Sequence, residues 1–588
     1  MILQALTSLY EALAPKGEVP KEGWSREKIS FALGIDENGD LLRITPLFKP
    51  GDMPKGKKKE EPQEMTVPAA VKRTSGAAAN FLWDNSSYIL GVSLKKGEDD
   101  AEREKQRNKD IKCFEACREL HHSMLDGMEY PAAKAVLNFL DKWEPQKAEE
   151  NNLVAQYAKE ILSGANMVFR FNGGYVHDDP QLASVWQKAN AKQKDNIGQC
   201  LVTGALDEIQ NTHPTIKGVQ GAQSSGAALV SFNASAFCSY NKEQNKNAPV
   251  GKYAAFAYTT ALNHLLADRK NVHRIGDAAV VCWAENADKQ YEDFAAEVFF
   301  GDNVDKSDEQ RLSALRTSLK LLADGLPCKE MDLDPDRKFY ILGLSPNAAR
   351  LAVRFFYCDS FGKIAGNIYK HHERLEIVRP SYDKFPILPL WKLLSATVNP
   401  NAKDKTPNAA MAGAVARAVF SGGRYPASLL ECTFLRIKAE RNITRERAAI
   451  IKAYYLRNPN EKCPKEVLTV SLNENSKNIP YTLGRLFSVY EEIQQAANPG
   501  INTTIKDRYF GSAAAMPATV FPILSNLAQK HLRKLSDAQR VYLDKKVMTL
   551  KSVLGEQYPA HMSLPEQGSF DLGYYHQTQA RYTKKEDK

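Results

Sequence analysis

The 588-residue sequence predicts an α+β fold, with a large mixed N-terminal domain over residues 1–378 and an all-α helical domain over 388–588. Three observations predict it. Apolar residues make up 43% of the chain and charged residues 25%, which is enough apolar matter for large cores. Up to about residue 361, short β-branched and aromatic runs alternate with amphipathic helical stretches. Beyond the proline-marked stretch RPSYDKFPILPLW (379–391), apolar residues keep helical spacing almost throughout.

Taken in order, runs 29–33 and 41–45 read as strands joined at Asp36-Glu37-Asn38-Gly39, where Asn-Gly suits a hairpin turn. Segment 50–68 is polar, charged and rich in proline, and is expected to be a mobile loop that buries no face. Its Lys57, Lys58 and Lys59 suit either a solvated surface or phosphate contacts. Residues 97–163 turn helical behind a charged run at 98–110. Strands are expected at 167–171, 228–232, 279–284, 338–344 and 351–357. In the last, Leu351, Val353 and Phe355 would share a face, although a helix begun at Asn347 fits as well. Further on, Thr444 should cap the helix RERAAIIKAYYLR, which stops at Asn458-Pro459. Leu483, Leu486, Phe487, Tyr490 and Ile493 should form one buried face. Ser536 to Gln539 reads as a capping box opening the helix that carries Val541, Val547, Leu550 and Leu554. Residues 467–588 carry 15 Lys plus Arg against 11 Asp plus Glu, as a small bundle with a basic exterior would.

A formal charge of +9 permits a polyanionic partner without demanding one. No apolar run is long enough to cross a membrane, and the start lacks a basic segment before its apolar residues. A cytoplasmic protein with no membrane partner is therefore expected. Nine scattered cysteines without a C-x-x-C pair support reduced thiols rather than a disulfide framework or zinc ribbon. Gly51 and Gly56 precede Lys57 at phosphate-loop spacing, but Lys58 stands where Ser or Thr should hold magnesium. Gly218, Gly221 and Gly226 miss the dinucleotide spacing, and Gly343-Leu-Ser345-Pro-Asn347 lacks the second glycine of a nucleophile elbow. His177-Asp178-Asp179 would need further ligands from elsewhere to hold a metal. His121-His122 and His371-His372, as neighbours on helices, point about 100° apart and cannot share one. No catalytic residue, metal or cofactor is expected.

Two loops stand out instead. One, 72–85, holds Arg73, Thr74, Ser75, Gly76 and Asn80. The other, 216–226, holds Gln220, Gln223, Ser224 and Ser225 between glycines. Glycine lets the backbone approach a ligand, and amides and hydroxyls can meet base edges or phosphates without repelling a polyanion. Two tight turns capping neighbouring elements would look the same.

The stretches GVQGAQSSGAALVSFNASAF, NAPVGKYAAFAYTTALNHLL, IGDAAVVCWAE, RTSGAAANFLWDNSSYILG, FYILGLSPNAARLAVRFF, YTLGRLFSVYEEIQ and TIKDRYFGSAAAMPATVFP closely resemble the large subunit of the type I-C CRISPR surveillance complex, Cascade. The resemblance implies a non-catalytic subunit beside the 5′ handle of the crRNA, among backbone and handle-binding subunits. It implies recognition of the protospacer-adjacent motif (PAM) on target double-stranded DNA, opening of the first base pairs, and recruitment of a separate helicase-nuclease. It further implies a small subunit translated from within the same gene, corresponding to 467–588. On this reading Arg73 to Gly76, Asn80, Gln220, Gln223, Ser224 and Ser225 are the candidates for motif reading. Lys217, Lys252 and Arg274, the run Lys57 to Lys59, and Lys530, Arg533, Lys534, Lys545 and Lys546 are the candidates for phosphate contacts. A stand-alone metal-dependent nucleic-acid enzyme built on His177-Asp178-Asp179 and a purely structural scaffold are the alternatives.

Overall fold

The computed structural model describes residues 1–50, 60–71, 73, 76–93, 100–191, 196–232, 234–301, 309–383 and 385–582. They form two compact units, one of Leu13–Thr212 with Phe232–Thr260, the other of Met1–Ala12, His213–Ser231 and the chain from Ala261 onward.

In the first of these units the strands are β1 (Trp24–Ile29), β2 (Phe31–Ile35), β3 (Leu41–Pro46), β4 (Phe48–Pro50), β5 (Glu60–Pro68), β6 (Trp83–Asn85), β7 (Asn166–Phe171) and β8 (Gly174–Tyr175). β2 and β3 make the expected hairpin, with Leu33 opposite Ile44. Parallel pairing of β2 with β7 and antiparallel pairing of β6 with β7 complete the order β3-β2-β7-β6, with β8 beside β7. Phe31, Leu33 and Phe169 are fully buried in the core that helices Asp100–Leu125 and Pro131–Lys142 also line. The loop expected over 50–68 is in part a strand. Within 50–68, β5 is a regular strand between β1 and β4, and it buries Met65 and Val67. The alternation Met65-Thr66-Val67 supplies an apolar face that the surrounding prolines and charges obscure. Lys57, Lys58 and Lys59 lie outside the described residues, as do Thr74 and Ser75. β9 (Ile197–Gln199) and β10 (Leu206–Glu208) form a further two-stranded ribbon in this unit.

The other unit carries an antiparallel sheet ordered β11 (His273–Ile275), β12 (Ala278–Ala284), β13 (Lys338–Asn347), β14 (Arg350–Ser360). The 351–357 ambiguity resolves to a strand, but Val353 is 42% exposed while Leu351 and Phe355 are buried. A bulge turns Val353 to the face opposite Phe355, while Leu351, in regular register with Val353, is buried where the Ala228 carbonyl accepts its N–H. Gly343 pairs with Phe355 and Leu344 with Val353, so Arg354 is the extra residue, and its guanidinium turns to Ser345 Oγ (2.8 Å) and Asp277 (2.7 Å). The expected strand 228–232 does not form: Ala228 makes a single bridge to Arg350, and the chain then leaves the sheet.

From Leu390 to Ala580 every regular element among the described residues is helical. The core of this unit runs from Ile275 to Tyr575, and 379–391 passes through the unit rather than between units. Thr444 caps Arg445–Arg457 as expected, and Leu483, Leu486, Phe487, Tyr490 and Ile493 are all buried. Ser536 caps nothing with its side chain, Asp537 beside it pairs with Arg540, and Val541 is half exposed. Among the described residues the capping boxes are Thr504 with Asp507 and Ser563 with Glu566, each with a carboxylate to reach back. Among the described residues no helix is long and apolar enough to cross a membrane.

Candidate nucleic-acid interface

Backbone hydrogen bonds between Ile216 and Ala227 (2.8 and 2.9 Å) close the second glycine-rich loop at its base. Three fixings hold it. The Lys217 N–H donates to Asn263 Oδ1 (2.8 Å), and Asn263 Nδ2 donates to the Thr215 carbonyl (3.1 Å). Ala228 is stitched to the β13–β14 turn through the Ala349 carbonyl and the Leu351 N–H. Arg274 on β11 donates to Gln220 Oε1 (3.0 Å) and to the Gly276 carbonyl (3.1 Å). Gly226 sits at φ +101°, where a Cβ would lie 2.7 Å from the Thr215 side chain. Only glycine suits that closure. Anchored this way, the loop presents Lys217, Gln220, Gln223, Ser224 and Ser225 as exposed side chains, and 216–227 contains no carboxylate. Arg274, anticipated as a phosphate contact, is thus brought to Gln220, anticipated as a base reader.

The first loop is organised around a buried acid. Asp84 accepts from the N–H groups of Asn80 (2.8 Å) and Asn85 (2.7 Å) and pairs with the Arg73 guanidinium. Burial outweighs these partners and holds its carboxyl above the ordinary range. Arg73 also donates to the Ala78 carbonyl (2.7 Å) and covers the Tyr88 ring at 3.9 Å. Asn80 is buried, and its Oδ1 accepts from the Val71 N–H (2.8 Å). Arg73 and Asn80 therefore brace their loop, while Gly76 is exposed with open space around it.

The remaining basic candidates are dispersed. Lys252 lies 3.7 Å from Glu208. Lys530, Arg533, Lys534 and Lys545 are exposed on and after helices Pro517–Leu532 and Asp537–Lys551, with no ion-pair partner among the described residues. Lys546 is half-buried between Glu492 (3.5 Å) and the Tyr542 ring (4.4 Å). Sequence reading missed Trp391, an exposed indole that lines a concavity of about 250 Å³ together with Arg274. Its aromatic type was the available signal; its place beside Arg274 is tertiary.

His121, His122 and His371 have structural hydrogen-bond partners, whereas both ring nitrogens of the buried His177 lack one. Asp179 caps helix Pro180–Ala191 through the Gln181 N–H (2.9 Å) and accepts from the Tyr130 hydroxyl. Asp178 is exposed, and His177 is buried with its pKa lowered by that burial. His121 Nε2 accepts the Leu82 N–H (2.9 Å), which leaves Nδ1–H for the Cys117 carbonyl (2.7 Å). His122 bridges Asp126 and Asp141, and His371 meets the Tyr425 hydroxyl. No group of three or more His, Cys, Asp or Glu suited to a metal occurs among the described residues.

With this geometry in view, the family model of the CRISPR-associated protein Cas_Csd1 matches residues 6–582 of the chain. No curated protein matches it.

Proposed function

The chain belongs to the Cas_Csd1 family of CRISPR-associated proteins, the large subunits of type I-C Cascade, and from that premise we propose that it reads the protospacer-adjacent motif on duplex DNA. In this reading it performs no bond chemistry of its own. It starts duplex opening beside the motif, leaves the remaining sequence to base pairing with the crRNA, and offers a docking face to the helicase-nuclease. The backbone and handle-binding subunits, and a small subunit from the same gene, are its partners in the complex.

The observation that carries this reading is the loop 216–227. It is closed, pinned at three places and free of carboxylates, and its outward face is amide, hydroxyl and ammonium. A loop held this firmly meets a groove with little backbone-ordering cost at binding. Its donors and acceptors suit base edges, and Lys217 suits a phosphate.

The test compares matched and motif-scrambled duplexes at several salt concentrations, using the assembled guide complex. Gln223→Ala or Ser224→Ala should weaken binding to matched DNA by about 1–3 kcal/mol and leave scrambled DNA unchanged. Lys217→Ala should weaken both alike and flatten the salt slope, since fewer counterions are released. Equal losses on both duplexes for the amide and hydroxyl variants would reduce the loop to a backbone clamp.

A further inference from the structure

The segment from Ser239 to Asn247 carries backbone strain that nothing in the chain's own packing uses. Tyr240 and Asn241 stand at φ +53° and +57°, between Ser239 and Lys242, whose backbones pair (Lys242 N–H to the Ser239 carbonyl, 2.9 Å). Two successive positive φ values mark a tight I′-type turn, whose first position ordinarily belongs to Asn, Asp or Gly. Here it is a tyrosine, for which this conformation is an outlier. Gln244, at φ +48°, adds a third such residue.

The strain is held by one side chain. Asn247 Oδ1 accepts from the Ser239 N–H (2.8 Å), and its Nδ2 donates to the carbonyls of Lys242 (2.6 Å) and Gln244 (3.0 Å). Asn245, which is buried, ties the turn to its own unit by donating to the Gln210 carbonyl (2.5 Å). The result is a braced turn with its aromatic ring 94% exposed. Strain that survives with such bracing concentrates where it positions a group for function.

We propose that Tyr240 is a stacking wedge, taking the face of a DNA base at the fork where the duplex opens. The surroundings favour a nucleic acid over a protein pocket. From Ser239 to Asn247 Tyr240 is the sole aromatic or aliphatic side chain among amides, a hydroxyl and charges. A protein hot spot needs a ring of packed neighbours that exclude water. Stacking on a base needs only the ring, with cations for the flanking phosphates. Lys242 and Lys246 are exposed on the same turn, without ion-pair partners among the described residues, against one acid, Glu243. The inference rests on the reading of the chain as a duplex-opening subunit.

Tyr240→Gly tests it, because glycine relieves the positive φ while removing the ring. In the purified guide complex, this variant should raise the unfolding midpoint of the chain. It should also slow opening of matched duplex by about tenfold to a hundredfold, the worth of one stacked base. Tyr240→Phe should retain wild-type opening. An abasic site placed in turn at each of the first target-strand positions should, at one position, cancel the difference between Tyr240→Gly and wild type. Unchanged opening in Tyr240→Gly overturns the proposal. So does a failure of that variant to assemble, which would seat the ring in a partner protein, and so does a difference that persists at every abasic position. Failure of the broader reading looks different: the wild-type complex would then bind matched and scrambled duplexes equally.

Discussion

Arg73 and Asn80 show what residue type conveys and what it hides. A guanidinium and an amide in a Gly/Ser-rich loop suit a polyanion, and that much is legible in sequence. Their actual partners are Asp84, the Ala78 carbonyl and the Val71 N–H. The deciding fact is that Asp84 is buried, and no local pattern announces it. His121 offers a sharper test at this scale. Burial lowers its pKa to about 4, whereas an unfolded histidine titrates near 6.5. Between those values the unfolded chain takes up a proton that the folded chain refuses. Its contribution is therefore fully present above about pH 6.5 and is lost as pH falls toward 4. The loss is about 3 kcal/mol for this site, at roughly 1.4 kcal/mol per pH unit. Urea unfolding at pH 7 and pH 4.5 should show it, and His121→Gln, which keeps an acceptor for the Leu82 N–H, should reduce the difference. An identical pH dependence in that variant would assign the effect to other groups, such as His372 and His576, which burial also lowers to about 4 and about 3.

Among the elements, those with a signal inside their own few residues were legible: the Asn-Gly hairpin, the strands near 167–171 and 279–284, and the Thr444 cap. β5 was not, because its partner β1 lies far back in sequence and only pairing reveals which face Met65 and Val67 share. The Tyr240 turn was not, because its positive φ is imposed by Asn247 from outside the turn. Helix crossings are equally non-local. Ile479–Ala497 and Leu564–Ala580 meet so closely that a Cβ on Gly484 would stand 1.9 Å from the Phe570 carbonyl, and one on Gly573 would stand 2.1 Å from that of Tyr481. Backbone carbonyls cannot swing aside as side chains do, so Gly573→Ala must push the helices apart. Its cost should reach or exceed the upper end of the usual overpacking range, about 3 kcal/mol. Thermal unfolding followed by circular dichroism checks it; a variant within 0.5 kcal/mol, roughly the range of a neutral surface change, would mean that the crossing relaxes freely.

At the scale of the whole molecule, the C-terminal stretch reads from sequence as a bundle able to fold without its N-terminal neighbour. The packing limits that independence. Helix Leu564–Ala580 is buried from Gln567 through Gln577, which leaves it no solvent face over that length. Gly568 lies against Tyr455, Ile451 and Phe434, and the Tyr575 hydroxyl donates to the Val378 carbonyl (2.8 Å). A second product starting near Val467 or Leu468 would lack all four of those partners, baring apolar area that water penalises by roughly 25 cal/mol per Å². Two outcomes are expected together. Intact-mass measurement on complexes purified through a C-terminal tag should show a short chain beside the full-length one. The same short chain expressed alone should self-associate at micromolar concentration in sedimentation velocity, because the bared face of its last helix needs a cover. Recovery of full-length chain only would remove the internal product. A short chain that stays monomeric and unfolds cooperatively would show that 467–588 re-covers that helix by itself, and that the contacts to Phe434, Ile451 and Tyr455 contribute little to holding it.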